Sequence, residues 1–246
     1  MIRRPPRSTL SPSSAASDVY KRQAKRILVR RPGPFMRVIG VSEAVDCLID
    51  LILRMCKMAG VKEADGRIER MIRTDPSRIG EYGNYKGYLY EVIGRMWLRD
   101  IVGWHNLDYF IHVVDNRVAE LDAVACERVG DTVQIYAAEI KSRPKKKHLR
   151  KMRENLEALK AYWKEELKRR PDIRRSRFRE VVFISFTEPK ETPWLIYELK
   201  KATEPVKPDN IAFYAKSDIL EKCRYERVRG RPILEALKYL EKLQDL

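Results

Sequence analysis

Residues 117–141 read RVAELDAVACERVGDTVQIYAAEIK. Two alternating, largely apolar runs, 117–126 and 132–141, lie on either side of the tetrapeptide VGDT. A glycine followed by an aspartate between two such runs is typical of a two-residue turn in a β-hairpin. The stretch therefore predicts an antiparallel hairpin, and with it a domain built around a β-sheet.

The predicted hairpin also fixes which side chains lie together. With Gly130-Asp131 as the turn, continued pairing places Asp122 directly opposite Glu139, on the same face and with Cβ atoms about 5 Å apart. Lys141 follows Glu139 by two residues, and Glu120 precedes Asp122 by two, so strand alternation gives them the same face. The sequence therefore predicts a cluster on one face of a sheet, made of Glu120, Asp122, Glu139 and Lys141.

The segments around the hairpin predict an α/β fold. In chain order they indicate a helix capped by Asn84 and ending near Ile101, strands at 109–115, 117–126 and 132–141, a long helix from about Lys145 to Arg169, a buried strand at 181–186, a helix from Thr192, a short strand at 211–214 and a terminal helix from about Pro232. These elements predict a mixed sheet, an antiparallel meander followed by parallel addition, flanked by helices.

The N-terminal part of the chain predicts a different organisation. Residues 1–35 form a leader and basic connector expected to be disordered, and residues 1–23 resemble translated sequencing-adapter sequence, which makes them an expected artefact. Residues 36–80 predict a helical extension, with Ser42 as the N-cap of its first helix and Gly60 at its end. The α/β domain is expected over 84–246, with its core at 84–187.

Composition limits the partners and the location of the protein. The net charge of +16, and of +12 without residues 1–23, favours a polyanionic partner over a neutral one. No apolar run reaches the ~18 residues of a membrane helix, so no membrane partner is expected. The four cysteines have no metal-site or disulfide spacing and fit a reducing cytosol, which predicts a cytoplasmic protein.

The predicted carboxylate pair has a chemical meaning. Two carboxylates that face each other repel unless a positive charge lies between them. Hard cations such as Mg²⁺ or Mn²⁺ prefer oxygen ligands and keep open positions for water and a phosphate oxygen. A lysine beside such an ion can stabilise the charge that develops on a phosphate during hydrolysis. These residue types are therefore those that phosphodiester hydrolysis needs.

An aspartate followed by Glu139-Ile140-Lys141 at the end of an apolar strand resembles the PD-(D/E)xK nuclease superfamily, which includes restriction endonucleases and archaeal Holliday-junction resolvases. The resemblance covers roughly 84–187 and implies a restriction-endonuclease-like fold. It implies a metal site formed by Asp122, Glu139 and the Ile140 carbonyl, with Lys141 as the catalytic lysine, Glu91 as an accessory acid and Glu120 as a further candidate ligand. Two positions depart from the family pattern, since Leu121 replaces the usual proline and Asn155 is only a weak match to the helix glutamine of some members.

Two basic clusters follow the hairpin. The first is the expected nucleic-acid-binding set, Arg143, Lys145, Lys146, Lys147, Arg150 and Lys151. The second, over 168–179, holds seven basic residues against Asp172. Solvated helix surfaces are an equally good reading of either cluster, taken residue by residue.

The sequence thus predicts a Mg²⁺- or Mn²⁺-dependent deoxyribonuclease of repair, recombination or defence, with DNA favoured over RNA and a homodimer left open. Two alternatives remain. One is a nuclease-fold module that binds nucleic acid without cutting it. The other is the C-terminal nuclease-like domain of a truncated archaeal ATPase. The chain resembles such domains, the adapter-like start makes N-terminal truncation credible, and no Walker motif occurs in the remaining sequence.

Overall fold

The computed structural model describes residues 41–59, 78–114, 117–188 and 192–244. The chain divides into two compact units, one formed by Gly87–Gln244 and the other by Met1–Lys86 with the last two residues. The leader predicted at 1–35 lies outside the described residues. Within the predicted extension, helix α1 spans Val41–Ala59, so it begins one residue before the expected cap, Ser42.

A five-stranded mixed sheet forms the centre of the larger unit. Its strands follow the order of the sequence: β1 Asp108–Val114, β2 Arg117–Val129, β3 Thr132–Lys141, β4 Arg175–Ser185 and β5 Asn210–Tyr214. The pairs β1–β2 and β2–β3 are antiparallel, whereas β3–β4 and β4–β5 are parallel. The predicted antiparallel meander followed by parallel addition is therefore confirmed.

The hairpin turn is where the sequence placed it. Val129 pairs with Thr132, and the same register continues to Ala123 opposite Ala138. Gly130 has a φ of +63°, a left-handed conformation that glycine adopts without the steric penalty of a side chain. Local turn chemistry is thus sufficient to set the register of β2 against β3.

Helices flank the sheet in the larger unit, and their limits differ in part from the predicted ones. Helix α2 spans Arg78–Trp97 and passes into a π-helical turn, Leu98–Val102, which Gly103 ends with a φ of +91°. Asn84 therefore lies inside α2, and its predicted role as the N-cap is wrong. The helix can extend past Asn84 because this residue is only a mildly poor helix former.

The remaining helices are α3 Lys146–Arg169, α4 Thr192–Thr203, α5 Lys216–Tyr225 and α6 Arg227–Gln244. Helix α5 was not predicted, and α6 begins before the expected Pro232, which lies in its second turn. Pro232 is the sixth residue of α6, beyond the first turn, so its lack of an N–H removes one hydrogen bond of the helix, the one to the carbonyl of Val228. No helix in the described part of the chain is long and apolar enough to cross a membrane.

Helix α3 covers one face of the sheet with the apolar stripe that its periodicity predicted. The α3 side of this core comes from Leu149, Met152, Leu156, Leu159 and Trp163, and the sheet side includes Leu121, Ile135, Ala137, Val181 and Phe183. Burying an aliphatic or aromatic side chain contributes about 1.5–3 kcal/mol each. The packing fixes α3 across the strands that carry the predicted cluster.

Candidate active site

Strands β2 and β3 separate at the position where the predicted cluster lies. Their pairing ends at Ala123–Ala138, one pair short of the predicted Asp122–Glu139 pair, although β3 stays paired with β4 as far as Lys141. The buried N–H of Ile140 donates to Asp122 Oδ2 at 2.7 Å. A side-chain carboxylate thus replaces the missing strand carbonyl, because a buried N–H without a partner is costly.

Helix α3 supplies hydrogen-bond partners for the backbone of β2 at this separation. The side-chain amide of Asn155 donates to the carbonyl of Glu120 at 2.5 Å and accepts from its N–H at 3.3 Å. Asn155 is buried. The weak sequence match at Asn155 therefore has a definite structural place: its amide holds the backbone of β2 just before Asp122.

Three of the predicted site residues meet where β2 and β3 separate. The Lys141 ammonium lies 2.8 Å from Asp122 Oδ2 and 2.8 Å from Glu139 Oε1. Both acids are only 3% exposed, so one cation is shared by two carboxylates that have left water. The expected convergence of Asp122, Glu139 and Lys141 at one end of the sheet is therefore present in the structure.

The charges in this cluster are strongly perturbed. Burial raises the pKa of Glu139 to about 8, and the nearby Asp122 carboxylate adds to the rise while Lys141 opposes it. Burial alone would lower the pKa of Lys141, but Asp122, Glu139 and Glu91 outweigh it and hold that pKa above its usual range. Lys141 therefore stays protonated. Within the described structure, Glu139 Oε2 is buried without a hydrogen-bond partner.

Helix α2 brings a further predicted residue and an unpredicted one to the site. The Glu91 carboxylate acts on the Lys141 ammonium through space. One turn later, a Cβ on Gly94 would lie 2.8 Å from Ile140 Cγ2, so this glycine permits the close approach of α2 to β3. Buried Arg95 donates from Nη1 to the backbone carbonyl of Asp122 at 3.0 Å.

Glu120 does not lie where the sequence placed it. Its neighbours Ala119 and Leu121 belong to the core beneath α3. Ala137 of β3 belongs to the same core, and strand alternation gives Glu139 the same face as Ala137. Glu120 therefore lies on the opposite face. The prediction that it shares a face with Glu139 is wrong, because the pairing of β1 with β2 shifts register here and breaks the alternation along β2. Glu120 as a metal ligand stays a prediction.

Sequence reasoning missed Arg95 and His148 as neighbours of the cluster. Arg95 lies four residues after Glu91, so helical periodicity could have placed it on the same side of α2. Burial, with the charges of Lys141, Lys147 and Lys145 adding to it, lowers the pKa of His148 to about 4. His148 Nδ1 has no hydrogen-bond partner among the described residues. Nothing in the sequence pattern marks this histidine.

The residues of the cluster fit a hard divalent cation. Within 41–59, 78–114, 117–188 and 192–244, no group of three or more His, Cys, Asp or Glu side chains is arranged to hold a metal. The expected ligand set needs only two carboxylates with a backbone carbonyl. Asp122 and Glu139 already share one positive charge, and the buried Glu139 Oε2 offers a further oxygen for coordination.

The two basic clusters differ in how their charges are compensated. The six basic residues of the first cluster, which lie within 143–151, are all exposed, and none makes an ion pair with another described residue. In the second cluster most arginines are paired: Arg169 and Arg170 with Glu166, Arg174 with Asp131, and Arg177 and Arg179 with Asp209. Only the first cluster therefore offers uncompensated charge close to the site.

The chain matches no protein-family model, no curated protein and no solved structure.

Proposed function

We propose that the chain is a metal-dependent nuclease of the PD-(D/E)xK type, which hydrolyses phosphodiester bonds in DNA. The observation that carries the proposal is the meeting of two buried carboxylates with one lysine where β2 and β3 separate. Buried ionised groups are costly unless they are paired, and perturbed groups of this kind concentrate at functional sites.

Asp122, Glu139 and the carbonyl of Ile140 would hold Mg²⁺ or Mn²⁺. Such an ion, when bound, supplies Lewis-acid activation of the phosphodiester and a lower pKa for the attacking water. Asp122 is held ready for this role by the hydrogen bond from Ile140 to its carboxylate and by the bond from Arg95 to its carbonyl.

Lys141 serves as a hydrogen-bond donor. In the metal-free protein Asp122 and Glu139 raise its pKa, so the side chain carries its proton at neutral pH. An ammonium beside the scissile phosphate stabilises the negative charge that builds up on the phosphate oxygens. Glu91 lies close enough to act on Lys141 electrostatically, which supports a role in holding that ammonium in place.

The first basic cluster supplies the contacts to the DNA backbone. Its exposed side chains are free of ion pairs within the described residues, so phosphates need displace no protein carboxylate. Lys151 acts electrostatically on Glu139, so this end of α3 adjoins the cluster of carboxylates. Phosphates bound along α3 would therefore lead toward Asp122 and Glu139.

The test is cleavage by the purified full chain of supercoiled plasmid, end-labelled DNA and RNA oligonucleotides, with Mg²⁺, Mn²⁺ or chelator. We expect metal-dependent cleavage of DNA, reduced at least about a hundredfold by Asp122→Asn, Glu139→Gln or Lys141→Met. Glu157→Gln is the matched control, because Glu157 is an exposed carboxylate on α3 that pairs with Arg153.

Cleavage at the wild-type rate in Asp122→Asn would overturn the proposal. Salt-dependent DNA binding with no cleavage of any substrate under either metal would instead favour the non-cleaving module. Efficient cleavage of RNA alone would refute the assignment to DNA.

A further inference from the structure

The junction of α5 and α6 is exposed to solvent. Residues 224–229 are all exposed, although both helices bury apolar side chains on either side of them, Ile219 and Cys223 in α5 and Ile233 in α6. Tyr225 is 87% exposed and Val228 88%. We call residues 224–229 the elbow.

The elbow is a rigid corner. A Cβ on Gly230 would lie 2.2 Å from the carbonyl oxygen of Cys223, so the start of α6 packs directly against the backbone at the end of α5. The N–H of Glu226 donates to the Lys222 carbonyl at 2.9 Å, and the N–H of Gly230 donates to the Glu226 carbonyl at 2.7 Å. The exposed side chains are therefore presented on a fixed backbone, which lowers the entropy that binding must overcome.

The elbow carries uncompensated positive charge. Arg224, Arg227 and Arg229 make no ion pair with any residue that the structure describes. Most arginines elsewhere on the surface of this unit are paired, as in Arg128–Asp172 and Arg231–Glu235. The elbow also contains the exposed Glu226, so its net charge is +2, and the three arginines around an exposed tyrosine combine a cationic surface with a flat aromatic ring.

We propose that the elbow binds single-stranded nucleic acid, through phosphate contacts from its arginines and stacking of a base on Tyr225. Aromatic side chains that stack on unpaired bases, together with a basic surface that follows the backbone, are the two components of single-strand recognition. A duplex conceals its base faces, so Tyr225 discriminates in favour of unpaired strands. The proposal does not depend on the proposed active site, since binding at the elbow requires neither metal nor cleavage.

An acidic membrane surface is the competing partner, because exposed Tyr and Val beside arginines also suit a lipid interface. The elbow is a corner between two helices and presents only Tyr225 and Val228 as large apolar groups. Stable interfacial binding needs a longer apolar helix face, so nucleic acid fits the elbow better.

The experiment measures binding of the full chain to fluorescent oligo(dT) and to a duplex of equal length, in chelator and over a range of salt. We expect Tyr225→Ala to weaken oligo(dT) binding about tenfold and duplex binding far less. The triple variant Arg224→Gln/Arg227→Gln/Arg229→Gln should lower the salt slope for oligo(dT) by about two, since each phosphate contact on a single strand contributes about 0.7.

The matched control is Arg169→Gln/Arg170→Gln/Arg174→Gln, which removes the same charge from arginines that are already paired with carboxylates. Circular dichroism and urea unfolding verify that each variant is folded. An equal loss in the control, or wild-type binding in the elbow variants, would overturn the proposal. Elbow variants that lose binding to phosphatidylserine vesicles but bind oligo(dT) as wild type does would also overturn it. Because all arms use chelator, failure of the nuclease assay leaves this result intact.

Discussion

At the scale of single residues, the site consists of one ammonium shared by two buried carboxyl groups. Asp122 and Glu139 are each 3% exposed, and both contact Lys141 at 2.8 Å. Buried ion pairs contribute little net stability, because the desolvation of the charges offsets most of their attraction. A stable fold would be better served by apolar residues here, which supports the proposal that the cluster binds a cation and an anionic substrate.

Lys141 occupies the position of a built-in counter-cation, and it should therefore compete with a divalent ion for Asp122 and Glu139. If the proposed metal site is correct, Lys141→Met should bind Mn²⁺ about tenfold more tightly than wild type, a difference of about 1.4 kcal/mol, while losing cleavage. Isothermal titration calorimetry of the full chain measures this affinity.

The control for Lys141→Met is Lys145→Met, which removes one positive charge from an exposed lysine without an ion pair among the described residues. Equal affinities in the two variants would show that only net charge matters. Weaker binding in Lys141→Met would mean that the lysine helps to hold the metal.

Glu139 should make the metal-free protein less stable as pH rises. Its pKa is raised from 4.5 to about 8 in the folded state, so the unfolded chain releases this proton at lower pH. The stabilising effect of the protonated group is complete below pH 4.5 and is lost as pH rises to about 8, with a slope of up to about 1.4 kcal/mol per pH unit.

Urea unfolding of wild type and Glu139→Gln in chelator, at pH 5, 6.5 and 8, measures this effect. We expect the variant to gain stability relative to wild type as pH rises, because its amide does not ionise. His148 titrates in the opposite direction, with a pKa lowered to about 4, but it is the same in both proteins and cancels in the comparison. Parallel pH profiles would contradict the assignment.

At the scale of elements, the site depends on the packing of α2 and α3 against the sheet where strands β2 and β3 of the hairpin separate. Asn155 of α3 binds the backbone of β2, and Gly94 of α2 lies directly on Ile140 of β3. Helix α3 thus contacts β2, and helix α2 contacts β3. The position of Asp122 between the two strands follows from both contacts.

Gly94→Ala should destabilise the protein, because its Cβ would lie 2.8 Å from a methyl group of Ile140 that is itself buried. Overpacking of this kind typically costs about 1–3 kcal/mol, which exceeds the gain of up to about 1 kcal/mol from replacing a helical glycine. Urea unfolding gives the change in the free energy of unfolding.

Gly87→Ala is the control on the same helix, since a Cβ there would meet nothing within 4 Å. We expect it to be neutral or stabilising. If Gly94→Ala were as stable as Gly87→Ala, the close approach of α2 to β3 would not be a constraint.

At the scale of the whole molecule, the net charge of +16 does not make every basic surface equally available to a polyanion. Most arginines of the second cluster pair with carboxylates, with Glu166 and Asp209 each contacting two of them, whereas the cluster at 143–151 makes no ion pair with a described residue. Net charge alone therefore overstates the surface available to a polyanion. Among the described residues, the start of α3 and the elbow are basic surfaces without ion pairs.

Lys145→Gln/Lys146→Gln/Lys147→Gln should therefore weaken duplex DNA binding and lower its salt slope by up to about 2.7, since each phosphate contact contributes about 0.9. Fluorescence anisotropy over a range of salt measures the slope. The same number of substitutions at the paired Arg169, Arg170 and Arg174 should change it less. Equal effects would show that DNA responds to total charge and not to these lysines.

The sequence by itself determined the hairpin and what the hairpin carries. Gly130 and the alternating runs beside it set a register that the structure retains to Ala123, which is why Asp122, Glu139 and Lys141 could be placed together in advance. The order of strands and the apolar stripe of α3 followed in the same way. All of these features depend on spacings within one hairpin or one helix, where local geometry fixes which residues are neighbours.

Only the tertiary structure decided the rest. The shift in β2 that sends Glu120 to the other face arises from pairing with β1, and the early start of β4 at Arg175 arises from parallel pairing with β3. The approach of Arg95 to Asp122 and the neutralisation of the second basic cluster likewise join residues far apart in the chain. Such contacts depend on which elements pack side by side, and no spacing along the sequence encodes that choice.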